Sequence, residues 1–258
     1  MNLLSALDVR QQPALRLTAD LYLPELRDGK PAPGLVVAHG AGSCAACHEE
    51  FCREARGQGF AVLAVDFRGH GGSGGVADGP LEQDVLAATA FLRRHPAVNA
   101  ERLGYRGSSM GAFYGLKAAS QAGFAAMVLV CPASEETMLK AIASSEAASA
   151  RGDSGRALDA SAESETPAPP TRWDFVRLRA YFERQDSGLL AAGVTCPVLL
   201  VHARDDEVVP LEHSLFLAGR MVSETTLLAL AGGSHGTAQH DPAVHRYSVG
   251  WLAAKLMH

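Results

Sequence analysis

Gly107-Ser108-Ser109-Met110-Gly111 is one of three Gly-x-Ser-x-Gly segments in this 258-residue chain; the others centre on Ser73 and Ser234. A serine hydroxyl becomes a nucleophile only when a base takes its proton, so the chemistry on offer is acyl transfer by a serine, a histidine and a carboxylate. Context separates the three segments. Ser109 stands between a strand pattern at 102–107 and a helix pattern from Met110 to about Ala122. That is a sharp strand-to-helix turn, which closes only if the residues two before and two after the serine are very small; Gly107 and Gly111 occupy those places. Ser73 lies in a glycine run followed by the turn Asp78-Gly79-Pro80, with no helix pattern behind it. Ser234 has a histidine inside its own motif and comes too late for an acid to follow before a histidine partner.

The base is sought among ten histidines. Ligands of parallel sheets bind beyond the carboxyl ends of the strands, and His235 follows the last strand pattern in a loop at that face. It is the expected base. His39 and His70 are read as structural residues of glycine loops, and His240 and His245 as surface residues at the start of the last helix. His213 and His258 read as exposed, and His95 as a helix-end residue. The acid belongs after another strand, between the serine and the histidine in the chain. Asp205 and Asp206 both follow the strand Pro197–Val201, and position alone leaves the two open. The oxyanion needs backbone donors: the Met110 N–H is one, and the Ala41 N–H, in the loop His39-Gly40-Ala41-Gly42, is the other. Gly40 is a candidate substrate contact beside it.

The elements that must hold these residues alternate. Leu15–Leu23 reads as an edge or antiparallel strand, with Leu15, Leu17, Ala19, Leu21 and Leu23 on one face. The run 34–39 is continuously apolar, as a strand buried on both faces is; 60–66, 125–131, 197–202 and 225–230 read as further buried strands, and 102–107 as the strand before the elbow. Helix patterns cover 46–57, 81–94, 110–122, 210–221 and 241–256. Strands alternating with helices give an α/β class with a doubly wound, mostly parallel sheet. Between Cys131 and Pro197 the pattern changes: helices at 134–148 and 173–183, the second opened by Thr171 as N-cap, flank a Pro/Ala/Ser/Glu link at 160–170. We read 1–132 and 193–258 as the core and 133–192 as a helical cap insertion. Trp173, Phe175 and Phe182 are its candidate substrate contacts.

Four blocks together resemble the α/β-hydrolase superfamily, in its branch of serine esterases, dienelactone-hydrolase-like proteins and serine aminopeptidase-like lipases. They are His39-Gly40-Ala41-Gly42, Asp66 to Ser73, Gly107 to Gly111, and His202 to Pro210 with His235. The family's acid block, His-Gly-x-x-Asp-x-x-Val-Pro, implies that the acid is Asp206, with Ala203 in place of the family's glycine. The resemblance implies an α/β-hydrolase fold and hydrolysis of carboxylic esters of short to medium acyl chain. Ser109 stands where the dienelactone branch has cysteine. A peptidase or thioesterase would use the same triad, the peptidase with a cap carboxylate such as Glu135, Glu136 or Glu183. A non-catalytic binding protein of this fold is the remaining alternative.

Composition sets the surroundings. A net charge of −5 gives no basic field for nucleic acid. No apolar run is long enough for a membrane helix, and Met1–Leu7 lacks the features of a signal peptide, so a cytoplasmic setting is expected. The odd count of five cysteines fits free thiols in a reducing compartment. Cys44-Ala45-Ala46-Cys47-His48 matches a haem-attachment or half-zinc pattern, but no second ligand pair follows at zinc spacing. No metal or cofactor is expected; the partner is a small ester, and the oligomeric state is left open.

Overall fold

The computed structural model describes residues 15–26, 29–151 and 168–257. Seven strands form one sheet: β1 (Ala19–Tyr22), β2 (Ala32–Ala38), β3 (Ala61–Val65), β4 (Val98–Ser108), β5 (Ala126–Val130), β6 (Val198–Ala203) and β7 (Thr225–Leu230). Their order is β1-β3-β2-β4-β5-β6-β7; β1 pairs antiparallel with β3 and every other pair is parallel. The expected doubly wound sheet is present. The edge strand is shorter than the alternation from Leu15 to Leu23 suggests. Residues 15–18 leave the sheet to bond the glycine loop after β3: Thr18 N–H donates to Ser73 Oγ at 2.8 Å, and Gly74 N–H donates to the Arg16 carbonyl at 2.8 Å.

Successive strand residues point to opposite faces, and the apolar runs feed two cores. Val36, Ala38, Leu63, Val65, Leu129 and Leu200 share one core with α2 (Glu82–Arg93), α3 (Met110–Ala122) and the helices of the insertion. Leu35, Val37, Val62, Ala64, Val128, Val130, Leu199 and Val201 share the other with α1 (Glu49–Gly57) and α9 (Pro242–Leu256). A strand covered on both faces has no solvent side, so no polar alternation is written into it; β7, expected to be such a strand, is instead the half-buried edge of the sheet.

Residues 133–192 contain α4 (Glu135–Ala150), α5 (Phe175–Phe182) and α6 (Ser187–Ala192). Ser134 caps α4, accepting from Thr137 N–H. The N-cap of α5 is Asp174, which accepts from Arg177 N–H, and not Thr171. Thr171 belongs instead to an extended segment that bonds the loop after β3, with Ala77 bridged to Trp173. Most of the 160–170 link lies outside the described residues. The short helix α6, with Asp186 as its cap, was not anticipated. After α7 (Leu211–Arg220) and β7, a second unanticipated helix, α8 (His235–His240), precedes α9. No described helix is long and apolar enough to cross a membrane.

Candidate active site

Ser109 joins β4 to α3 with φ 51° and ψ −116°, a backbone conformation that L-residues rarely adopt. Three hydrogen bonds hold the turn: Ser109 N–H donates to the Val130 carbonyl at 2.8 Å, and the Ser109 carbonyl accepts from Phe113 N–H at 3.2 Å and Ala133 N–H at 3.1 Å. The flanking glycines are obligatory on steric grounds. A Cβ on Gly107 would lie 2.7 Å from Ala112 N, and one on Gly111 would lie 2.5 Å from the Ala38 carbonyl oxygen. The two rival serines have other work. Ser73 Oγ donates to the Asp66 carbonyl at 2.7 Å, and Ser234 caps α8 in a reciprocal pair with Thr237.

His235 is the first residue of α8, at the carboxyl end of the sheet beyond β7. Its Nδ1 lies 2.7 Å from Asp206 Oδ2, and the Asp206 side chain is fully buried. Asp206 Oδ1 accepts from Val208 N–H at 2.9 Å and Val209 N–H at 2.8 Å. His202 Nε2 approaches Oδ2 at 3.3 Å. Burial pushes the Asp206 carboxyl up, but hydrogen bonds from His202 and His235, the His235 charge and the Val209 N–H outweigh it and hold the group well below the usual carboxylate range. Asp205 is exposed on the turn. Of the two adjacent aspartates, the structure brings only Asp206 to His235.

Three further residues about this pair escaped sequence reasoning. Glu207 Oε2 accepts the His235 backbone N–H at 3.1 Å. His202 is wholly buried between Ser214 Oγ at 2.7 Å and the Val209 carbonyl at 2.8 Å. Cys131, non-glycine yet at φ 43°, sets its buried thiol against Asp206. Burial and then the neighbouring carboxylate push that thiol well above its ordinary range, so it is a neutral S–H donor. Cys131 Sγ, an Asp206 oxygen and a His235 nitrogen lie within 4.8 Å of one another, a donor set that a soft divalent ion accepts.

The loop after β2 faces the serine. A Cβ on Gly40 would lie 3.3 Å from Ser109 Cβ and 3.8 Å from Gln239 Oε1. His39 orients this loop: its Nε2 accepts from Phe67 N–H at 3.1 Å, so its Nδ1–H donates to the Gly40 carbonyl at 2.7 Å. Burial lowers the His39 pKa and keeps the ring neutral. Asp66 ties the segment after β2 to the loop after β3, accepting from Ala45 N–H at 2.7 Å and Gly72 N–H at 2.9 Å. Ala41 is half-buried in that loop, and Met110 opens α3, where the first N–H groups have no intrahelical partner.

Several expectations are corrected. Phe182 is fully buried against Phe113 and Tyr114, with ring centroids 5.1 and 6.1 Å away, so it packs α5 against α3 and has no surface for substrate. Trp173 and Phe175 stay half-buried and stack on one another, with Trp173 edge-on to His70 at 4.9 Å. His245 is buried and His240 and His213 are half-buried; none is a surface residue. His258 lies outside the described residues. All five cysteines are free thiols, with Cys44 Sγ 3.3 Å from Cys47 Sγ.

Residues 35–245 match the model of the alpha/beta hydrolase family. A monoacylglycerol lipase of Mycolicibacterium smegmatis is 27% identical over 252 residues, covering 88% of each chain. Among solved structures, the ferulic-acid complex of Est1E from Butyrivibrio proteoclasticus superposes with TM-score 0.73 at 19% identity, over 95% of this chain and 97% of that one. An enol-lactonase from Burkholderia xenovorans gives 0.68 at 17% identity, over 93% and 97%. At such identities the structural likeness shows the fold alone.

Proposed function

Since this chain belongs to the α/β hydrolase family, we propose that it is a serine hydrolase of carboxylic esters, with Ser109 as nucleophile, His235 as base and Asp206 as acid. The observation that carries this reading is the 2.7 Å pair of His235 Nδ1 with a buried Asp206, in a chain whose β4 ends at a serine on a strained elbow. Asp206 accepts a hydrogen bond from Nδ1–H, which leaves the Nε2 lone pair free to take the Ser109 hydroxyl proton. Ser109 Oγ attacks the ester carbon. The N–H groups of Ala41 and Met110 hold the negative oxygen of the tetrahedral intermediate. His235 then protonates the departing alcohol, and a water activated by the same ring cleaves the acyl-enzyme. The mechanism uses no cofactor or metal.

The distant lipase relative agrees with ester hydrolysis. For the acyl group we favour about two to eight carbons. With Phe182 in the core, Trp173 and Phe175 are the two candidate contacts that keep some surface, a short aromatic patch. The peptidase alternative asks for a free carboxylate to hold an amine. Glu135 already accepts the Ser187 N–H, Glu136 pairs with Lys140 at 2.7 Å on the surface, and Glu183 stays exposed at the end of α5, the one of the three that this alternative could use.

A fluorophosphonate probe should label one peptide, that containing Ser109, and Ser109→Ala should lower ester turnover on the order of 10⁶-fold without unfolding the chain. Labelling at Ser73 or Ser234 would move the site. A kcat/KM series on p-nitrophenyl esters from acetate to palmitate, run beside an aminoacyl arylamide and an acyl-CoA, tests the substrate class. A maximum at palmitate defeats the short-chain reading, and a dominant rate on the amide or thioester replaces the esterase.

A further inference from the structure

The strand that ends in Ser109 carries a charged side chain into the core. Arg106 lies three residues before the serine and is 1% exposed, yet among the described residues no carboxylate pairs with it. A buried cation is costly unless its donors are occupied. Arg106 Nη1–H donates to His48 Nδ1 at 2.8 Å, Nη2–H donates to the Gln239 carbonyl at 2.9 Å, and the guanidinium carbon lies 4.7 Å over the Phe51 ring, while Nε–H has no hydrogen-bond partner among the described residues.

The Gln239 carbonyl links this cluster to the chemistry. Gln239 is the penultimate residue of α8, whose first residue is His235. Its carbonyl accepts a second bond from His245 Nε2 at 2.9 Å, so both lone pairs are engaged. Its side-chain amide donates back to the His235 carbonyl at 3.2 Å. A six-residue helix with few internal hydrogen bonds does not fix its own position. This one is held at its start by Glu207 on the His235 N–H and at its end by Arg106 and His245.

Resting on the assignment of His235 as base, we propose that Arg106 is a positioning residue: one side chain sets the register between the strand bearing the nucleophile and the helix bearing the base. The planar fork suits the task because it reaches two acceptors at once, His48 and Gln239. A lysine ammonium has the charge but not the fork, and a methionine has neither.

The test is a pair of variants, Arg106→Met and Arg106→Lys, compared with wild type by circular dichroism, by kcat and KM on a p-nitrophenyl ester, and by imidazole NMR of His235. The proton shared by His235 Nδ1 and Asp206 is read without substrate, so a chain that hydrolyses no ester still tests the placement. Misplacing a catalytic group by about 1 Å costs on the order of 10²-fold, so Arg106→Met should lose about that factor in kcat with KM little changed. The lysine variant should recover part of it, and the His235 resonance should move in both. A folded lysine or methionine variant with wild-type kcat and an unmoved His235 resonance overturns the proposal. So does loss of the fold in Arg106→Lys, since the side chain would then support the core and not the register.

Discussion

Asp206 sits in a fully buried carboxylate site whose Oδ2 lies 2.7 Å from His235 Nδ1, while Asp205, its neighbour in the chain, is exposed. Loss of a triad carboxylate with geometry kept can cost about 10⁴-fold in kcat. Asp206→Asn should approach that figure, and Asp205→Asn should stay within about threefold of wild type. Steady-state kinetics on one ester decides; the opposite ranking would shift the acid by one residue.

Gly40 and Gly111 should respond differently to the same methyl group. A Cβ on Gly40 meets Ser109 Cβ at 3.3 Å, which the loop can absorb by a small shift. Gly40→Ala should therefore fold, and lose about tenfold in kcat by displacing the oxyanion loop. A Cβ on Gly111 meets the Ala38 carbonyl oxygen at 2.5 Å, backbone against backbone. Gly111→Ala should lower Tm sharply or prevent folding, as read by thermal melts.

Acid should destabilise the chain through its buried histidines. His240 and His245 are each pushed down to about 4, first by burial and then by the Arg106 charge, and His48 is held well below its ordinary value for the same reasons. Between about pH 6.5 and about pH 4 the unfolded chain binds protons that the folded chain does not. The stability from these neutral rings is complete above the unfolded value of about 6.5 and is lost as pH falls towards 4, on the order of 3 kcal/mol each for His240 and His245. Tm measured from about pH 8 to about pH 4 should fall steadily below about 6.5, and His245→Gln should flatten part of that fall. A Tm independent of pH across the window would contradict the burial of these rings.

Thiol titration tests the Cys44–Cys47 pair. The five free thiols should all react in denaturant without reductant. A count two lower, restored by reductant, would show that the two sulfurs 3.3 Å apart had been bridged.

The local signals of the sequence were strong wherever backbone geometry restricts residue choice. Gly107 and Gly111 mark the elbow because no other side chain fits there, and continuous apolar runs mark strands covered on both faces. Some missed features also left a trace. His245 falls on the same helical stripe as Val249, Leu252 and Leu256, all buried, and Ser234 with Thr237 spells the cap of α8. Phe182 falls beside Leu178 and Tyr181 on the buried face of α5.

The sequence by itself determined the parallel sheet, the strained serine and the loops expected to meet around it, because glycine placement and apolar periodicity are read over a few neighbouring residues. Tertiary structure alone decided which of two adjacent aspartates meets His235, that Phe182 belongs to the core, and that Arg106 reaches from β4 to the end of α8. Those relations join residues 29, 69 and 133 positions apart. They depend on how whole elements pack, and no local pattern of residue types encodes that.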